Sequence, residues 1–262
     1  MDNSLIGKKA IICGSSQGIG KSIAILLAKS GVSVILLARN KIKLKEVYNS
    51  LNTEFKQIHK MIVCDLENNK SLTNKINDLK KSNQYPDIII NNSGGPPPSK
   101  ILDAQIDDFD KYIKSHLFSS HILAKALIPR MKKNKFGRII NIISISVKAP
   151  IKNLGVSNTI RWAMASWAKT LSNEVAKHGI TVNNILPGFT DTERLRSLMK
   201  NRSSIEKISI NSIKKQYKNN IPAERFGRPD EIANGALFLC SDKANYINGI
   251  NLTIDGGFTP TL

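Results

Sequence analysis

A short apolar run that breaks on three spaced glycines constrains this chain more than any other feature. Lys9-Ala10-Ile11-Ile12-Cys13 leads into Gly14-Ser15-Ser16-Gln17-Gly18-Ile19-Gly20, and Ile19, Ile23, Leu26 and Leu27 follow at helical spacing. Strand, glycine turn and helix in that order let the backbone approach a pyrophosphate, with the free N–H groups and positive dipole end of the helix aimed at it. Glycines so spaced also make ordinary turns. The strand before them and the helix after them favour a nucleotide site.

The same rhythm continues along the chain. Apolar runs at Val32–Leu37, Lys60–Cys64, Asp87–Ile90, Arg138–Ile143, Thr181–Leu186 and Asn251–Ile254 alternate with helical patterns. The helices are expected to about Ser30, then near Lys41–Leu51, Asn69–Lys81, Asp107–Lys133, Ser157–His178 and Pro229–Cys240. Runs apolar on both faces imply a parallel sheet with helices on both sides. With no internal linker or repeat, the expectation is a single α/β domain over 1–262, a size ordinary for one domain. Residues from about 192 to 220 break the rhythm. They are helix-compatible and basic, at the carboxyl end of a strand, where lids belong in such sheets.

Bulk properties exclude several classes. No apolar run approaches the ~20 residues of a membrane helix. Met1-Asp2-Asn3-Ser4-Leu5-Ile6 runs straight into the first strand and leaves no room for a signal peptide, so a cytoplasmic protein is expected. Cys13, Cys64 and Cys240 lie in apolar contexts that fit neither a disulfide framework nor a zinc site, and no metal is expected. The net charge of +19 admits a nucleic-acid partner, an anionic substrate or a composition bias. The lysines scatter over many helix faces without alternating aromatic residues, which favours the composition bias.

Further motifs carry a resemblance. Asn91-Asn92-Ser93-Gly94 follows the fourth strand, Pro187-Gly188 with Thr192 follows the sixth, and Tyr246-Ile247-Asn248-Gly249 and Asp255-Gly256-Gly257 flank the last. With the glycine turn, these make the chain resemble the short-chain dehydrogenase/reductase family over nearly its whole length. The resemblance implies a Rossmann-type doubly wound sheet of about seven strands, a nicotinamide cofactor, a small carbonyl or alcohol substrate and, commonly, a homotetramer. It places the cofactor against residues 14–20, Asn40, Asp65, Leu66, Asn92, Ser93, Gly94, Pro187, Gly188, Thr190 and Thr192. Asp65 would lie beside the adenine. The second strand ends Leu37-Ala38-Arg39-Asn40 without the acid that accepts the ribose hydroxyls of NAD, and Arg39 can pair with a 2′-phosphate, so NADP is expected over NAD.

The resemblance fails where the family usually keeps its chemistry. The expected Tyr-x-x-x-Lys pair falls on Ser157 and Arg161. The serine thirteen residues earlier survives as Ser144, and the usual asparagine of the preceding helix falls on His116. Asn91–Pro98 joined with Ser157 and Arg161 resembles a divergent, 3-oxoacyl-carrier-protein-reductase-like subgroup. A serine hydroxyl is a poor proton donor, and Arg161 keeps a charge that grips ribose hydroxyls without shuttling protons. His116, with an ordinary pKa near 6.5, is poised to exchange protons, or else packs at a subunit interface. Lys148 either borders the same pocket or is a solvated loop lysine. Ser157 is available to cap its helix. Lid residues Lys200, Arg202, Lys207, Lys214, Lys215 and Lys218 either attract anionic substrates or form a solvated face. Three readings follow: an NADP(H)-dependent oxidoreductase with an altered proton path, a non-catalytic NADP-binding sensor or structural partner, and a nucleic-acid binder resting on charge alone. The third would lose affinity steeply with salt.

Overall fold

The computed structural model describes residues 3–261, so Met1, Asp2 and Leu262 of the expected domain and leader-free N-terminus lie outside it. Seven strands form one parallel sheet: β1 (Lys9–Cys13), β2 (Ser33–Ala38), β3 (Lys60–Val63), β4 (Ile88–Asn91), β5 (Gly137–Ile142), β6 (Ile180–Pro187) and β7 (Asn251–Ile254). Their order across the sheet is β3-β2-β1-β4-β5-β6-β7. The chain starts in the middle, winds to one edge and returns to build the other, which creates a switch point between β1 and β4.

Alternation along each strand builds two cores. In β1, Ala10 and Ile12 join the layer formed with Ile23 and Leu27 of α1 (Gly18–Lys29), Leu44 of α2 (Lys41–Asn49) and Ala236 of α9 (Pro229–Cys240). Ile11 and Cys13 point the other way, onto Leu72 of α3 (Asn69–Lys81), Leu127 of α5 (Ser119–Asn134) and Val175 of α6 (Gly155–Val175). Burial on both faces is why these strands read as continuous apolar runs. Cys13 and Cys240 are buried, and burial pushes both thiols up to about 12. No helix among the described residues is long and apolar enough to cross a membrane.

One polar row crosses this apolar sheet. Asn91 of β4, Asn141 of β5, Asn184 of β6 and Asn251 of β7 stand in register. Asn91 donates to Asn141 at 2.7 Å, Asn141 to Asn184 at 2.8 Å, and Asn184 to Asn251 at 2.8 Å. Each amide answers its neighbour, so the buried polar groups are compensated.

Two local expectations are corrected. The helix expected near Asp107–Lys133 is α4 (Ile106–Ile113), a π-helical turn at Lys114–Phe118, and then α5. The hydroxyls of Ser119 and Ser120 accompany the wide turn, donating to the Ser115 and His116 carbonyls at 2.8 and 2.6 Å. Ser157 does not cap α6. The cap position is Leu154, without a side-chain cap bond, and Asn158 holds the entry by bonding Ile151 through both its amide atoms.

The excursion after β6 forms α7 (Glu193–Glu206) and α8 (Ile210–Asn219). Leu195, Met199 and Ile213 give it a small core of its own, and Phe189 meets Tyr217 edge-on at 4.7 Å.

Candidate active site

The carboxyl ends of β1, β2, β4, β5 and β6 open into a cleft of about 570 Å³. Its first end is the glycine turn. Gly14 has a φ of +59°, and a Cβ there would lie 2.5 Å from the Asn92 carbonyl oxygen, so only glycine fits. Asn92 closes the contact by donating to the carbonyls of Cys13 and Gly14 at 3.3 and 3.2 Å. A Cβ on Gly20 would stand 2.3 Å from the Gly14 carbonyl oxygen. Gly20 therefore lets α1 approach the turn, and it does not line the cleft. The residue capping α1, Gln17, makes no side-chain cap bond, which leaves the N–H groups of the first turn for an anion.

Ser15 is the exception within the turn. It is fully buried and binds the backbone of Leu37, accepting from its N–H at 3.0 Å, so it ties the turn to β2 and does not reach the cleft. The other turn residues expected at the cofactor, Gly14, Ser16, Gln17, Gly18 and Ile19, do line it.

At the end of β2, Arg39 is exposed and lies 3.6 Å from Asp65 and 3.9 Å from Glu67. A ligand phosphate here must compete with both carboxylates. Two further cations share this end: Lys43, which donates to Gln17 at 3.0 Å, and Lys111, 3.9 Å from Glu67. Both line the cleft, as do Asn40, Asp65 and Leu66. Lys43 was visible in the sequence as the third residue of a helix that starts beside Arg39. Lys111 comes from a distant helix and carried no such signal.

The opposite end gathers Ser93, Gly94, Ser144, Ser157, Arg161, Pro187, Gly188, Thr190 and Thr192 along the cleft. Ser144 Oγ accepts the Ser146 N–H at 3.1 Å, which leaves its own proton to donate. Ser157 lies one helical turn before Arg161, on the buried face of α6. Arg161 donates to the Ile142 carbonyl at 3.0 Å, and burial with the nearby Arg194 charge pushes its guanidinium down to about 10. Thr192 caps α7 by accepting the Leu195 N–H at 3.3 Å.

Two expected catalytic residues stand elsewhere. His116 is 4% exposed and lies behind the cleft, with Nε2 3.1 Å from the Gly94 carbonyl and Nδ1 2.6 Å from Ser93 Oγ. A carbonyl only accepts, so Nε2 carries the proton and Ser93 donates to Nδ1. Burial, and then the Arg161 charge, hold this ring well below the ordinary 6.5. It is a neutral strap and not a proton reservoir near pH 7. Lys148 is half-buried at the end of the turn Ile145–Val147 and does not line the cleft. None of the six basic lid residues does either. The lid instead contributes Arg194, which sequence reading passed over, although it lies only two residues after Thr192. Tyr112 of α4 is the one tyrosine lining the cleft, and it too was missed.

A family profile described as enoyl-(acyl carrier protein) reductase matches residues 14–259. The 3-oxoacyl-acyl-carrier-protein reductase of Rickettsia felis is 36% identical over 255 residues, 97% of each chain. The chain belongs to the short-chain dehydrogenase/reductase family. Within the short-chain dehydrogenases/reductases, an NADPH-dependent reductase of Bacillus subtilis is 30% identical over 251 residues, covering 95% of this chain and 97% of that one. L-Sorbose reductase from Gluconobacter frateurii, solved in complex with NADPH and L-sorbose, superposes with a TM-score of 0.93 at 31% identity over the whole of both chains. The family's sheet and nucleotide end are therefore both present here.

Proposed function

We propose that this protein is an NADP(H)-dependent oxidoreductase that acts between a carbonyl and an alcohol, 3-oxoacyl-reductase-like, with a proton path that does not use the family's tyrosine and lysine. One observation carries the reading: a single cleft joins the glycine turn and uncapped α1 to Ser144, Ser157 and Arg161. The free first-turn N–H groups, the glycine-cleared turn and Arg39 fit a dinucleotide with a 2′-phosphate. NADP(H), when bound, supplies or accepts the hydride.

The chain's own residues do the rest. Ser144 donates to the carbonyl oxygen and stabilises the charge that develops there. Ser157, whose hydroxyl has no hydrogen-bond partner among the described residues, orients a water or the substrate. Arg161 stays charged and grips hydroxyls at the ribose position. Tyr112 is the phenol in reach of the cleft and takes the proton-donor part. The name of the B. subtilis relative and the NADPH in the G. frateurii complex support the cofactor. A cytoplasmic homotetramer, with 1–262 as one domain and about 192–220 as its lid, completes the proposal.

The test is fluorescence titration of the purified protein with NADPH and NADH, followed by a carbonyl panel. NADPH binding tighter than NADH, with turnover that Ser144→Ala reduces about a hundredfold or more, supports the reading. Tight NADPH binding with no turnover across the panel favours the non-catalytic sensor. The replacement of Tyr and Lys by Ser157 and Arg161 motivates that alternative.

A further inference from the structure

Arg161 and Arg194 bring two cations to one wall of the cleft, and neither pairs with a carboxylate among the described residues. A side-chain carbon placed on Gly95 would stand 3.6 Å from Arg161 Nη2 and 3.5 Å from Arg194 Nη2. The glycine thus keeps open a notch bounded by both guanidinium groups. Arg161 is 7% exposed, and its Nε is buried without a partner. Arg194, on the first turn of α7, donates through Nη2 to the Pro96 carbonyl. Every ion pair among the described residues involves other side chains. Glu193 lines the same cleft, but it is exposed and pairs with neither arginine.

A buried cation without a counter-charge is costly, and two adjacent ones repel. An anion entering the notch relieves both penalties at once. The planar guanidinium fork matches the oxygens of a carboxylate better than an ammonium would.

We propose that the notch at Gly95 is a carboxylate site, so the substrate class is a small oxo acid held by Arg161 and Arg194 with its carbonyl toward Ser144. The assignment deepens the reductase reading above and rests on it. The six lid cations, none of which lines the cleft, play no part in it. The pyrophosphate of the cofactor offers similar anionic oxygens, and the experiment separates the two.

The full-length protein is followed by thermal shift, with and without saturating NADPH, against pyruvate and acetoacetate and against their methyl esters. The acids are expected to bind about tenfold or more tighter than the esters, the scale of one charge-assisted hydrogen bond. Arg194→Gln and Gly95→Ala remove that preference. Gly95 has no left-handed φ, and the added methyl meets its neighbours at van der Waals distance, so the alanine variant folds. Lys200→Met, on the exposed lid face, retains the preference. Esters that bind as well as acids overturn the proposal. So does an Arg194→Gln variant that loosens NADPH about tenfold and leaves the acid preference intact, which assigns the arginine to the pyrophosphate. Acid-selective stabilisation without any NADPH binding would sink the oxidoreductase reading and leave the anion site standing.

Discussion

Ser93 and His116 share a 2.6 Å hydrogen bond, and through it the loop after β4 is fastened to the π-helical turn between α4 and α5. The second ring nitrogen donates to Gly94, so one imidazole holds two consecutive residues of the cleft wall. His116→Leu keeps the volume and removes both bonds. It is expected to cost about 1 kcal/mol of stability, because two part-buried hydrogen bonds are lost while Ser93 and Gly94 can still turn to water in the cleft. Urea denaturation reads the loss.

The same residue sets an acid limit. The folded ring titrates well below 6.5, so between the two values the unfolded chain binds a proton that the folded protein refuses. Its contribution is complete above about pH 6.5 and is lost as the pH falls toward the folded value. The melting temperature is expected to decline on acidification through this window, and less steeply in His116→Leu. Equal slopes in the two proteins would rule the histidine out as the cause.

In the proposed function Arg39 sets the preference for NADPH, and it does so beside Asp65 and Glu67 at 3.6 and 3.9 Å. Arg39→Ala is expected to raise the Kd for NADPH about tenfold and leave NADH nearly unchanged. Glu67→Gln should do the reverse and tighten NADPH about twofold, since an exposed pair is worth little. Parallel fluorescence titrations of the two nucleotides measure both effects.

The proposed proton path runs through Tyr112, with Ser157 orienting a water or the substrate beside it. Tyr112→Phe is expected to lower turnover about a hundredfold at unchanged NADPH affinity, while Ser157→Ala lowers it less. A Tyr112→Phe enzyme with full activity returns the proton path to water held at Ser157.

How much of this was legible beforehand follows from what each feature depends on. The strands, the glycine turn and α9 rest on local patterns, an apolar run or a helical period, and they appear where those patterns lie. Ser144, Ser157 and Arg161 were found by spacing, and they meet in one cleft. His116 sat at the counted position, yet it stands in a π turn and bonds the cleft wall from behind, at Ser93 and Gly94, without lining the cleft itself. No residue pattern announces such a turn. Tyr112, Lys111 and Arg194 were missed because they come from α4 and α7, and only tertiary packing turns them toward the cleft. Ser157 looked like a cap because serine usually is one, but α6 begins two residues earlier.

Asn141 sits at the centre of the amide row. Asn141→Ala is expected to cost about 3 kcal/mol in urea unfolding, because Asn91 and Asn184 each lose a partner in a buried place. A loss below about 1 kcal/mol would mean that water replaces the missing amide.

The row also imposes an order on synthesis. Its members are separated by 50, 43 and 67 residues, and its final acceptor is carried by β7. While the ribosome is still making the lid and α9, Asn184 has no Asn251 to bond, and the open flank of β6 stays exposed. The nascent sheet therefore cannot close until its seventh strand has emerged, and its most delicate interval lasts from the synthesis of β6 to that of Asn251.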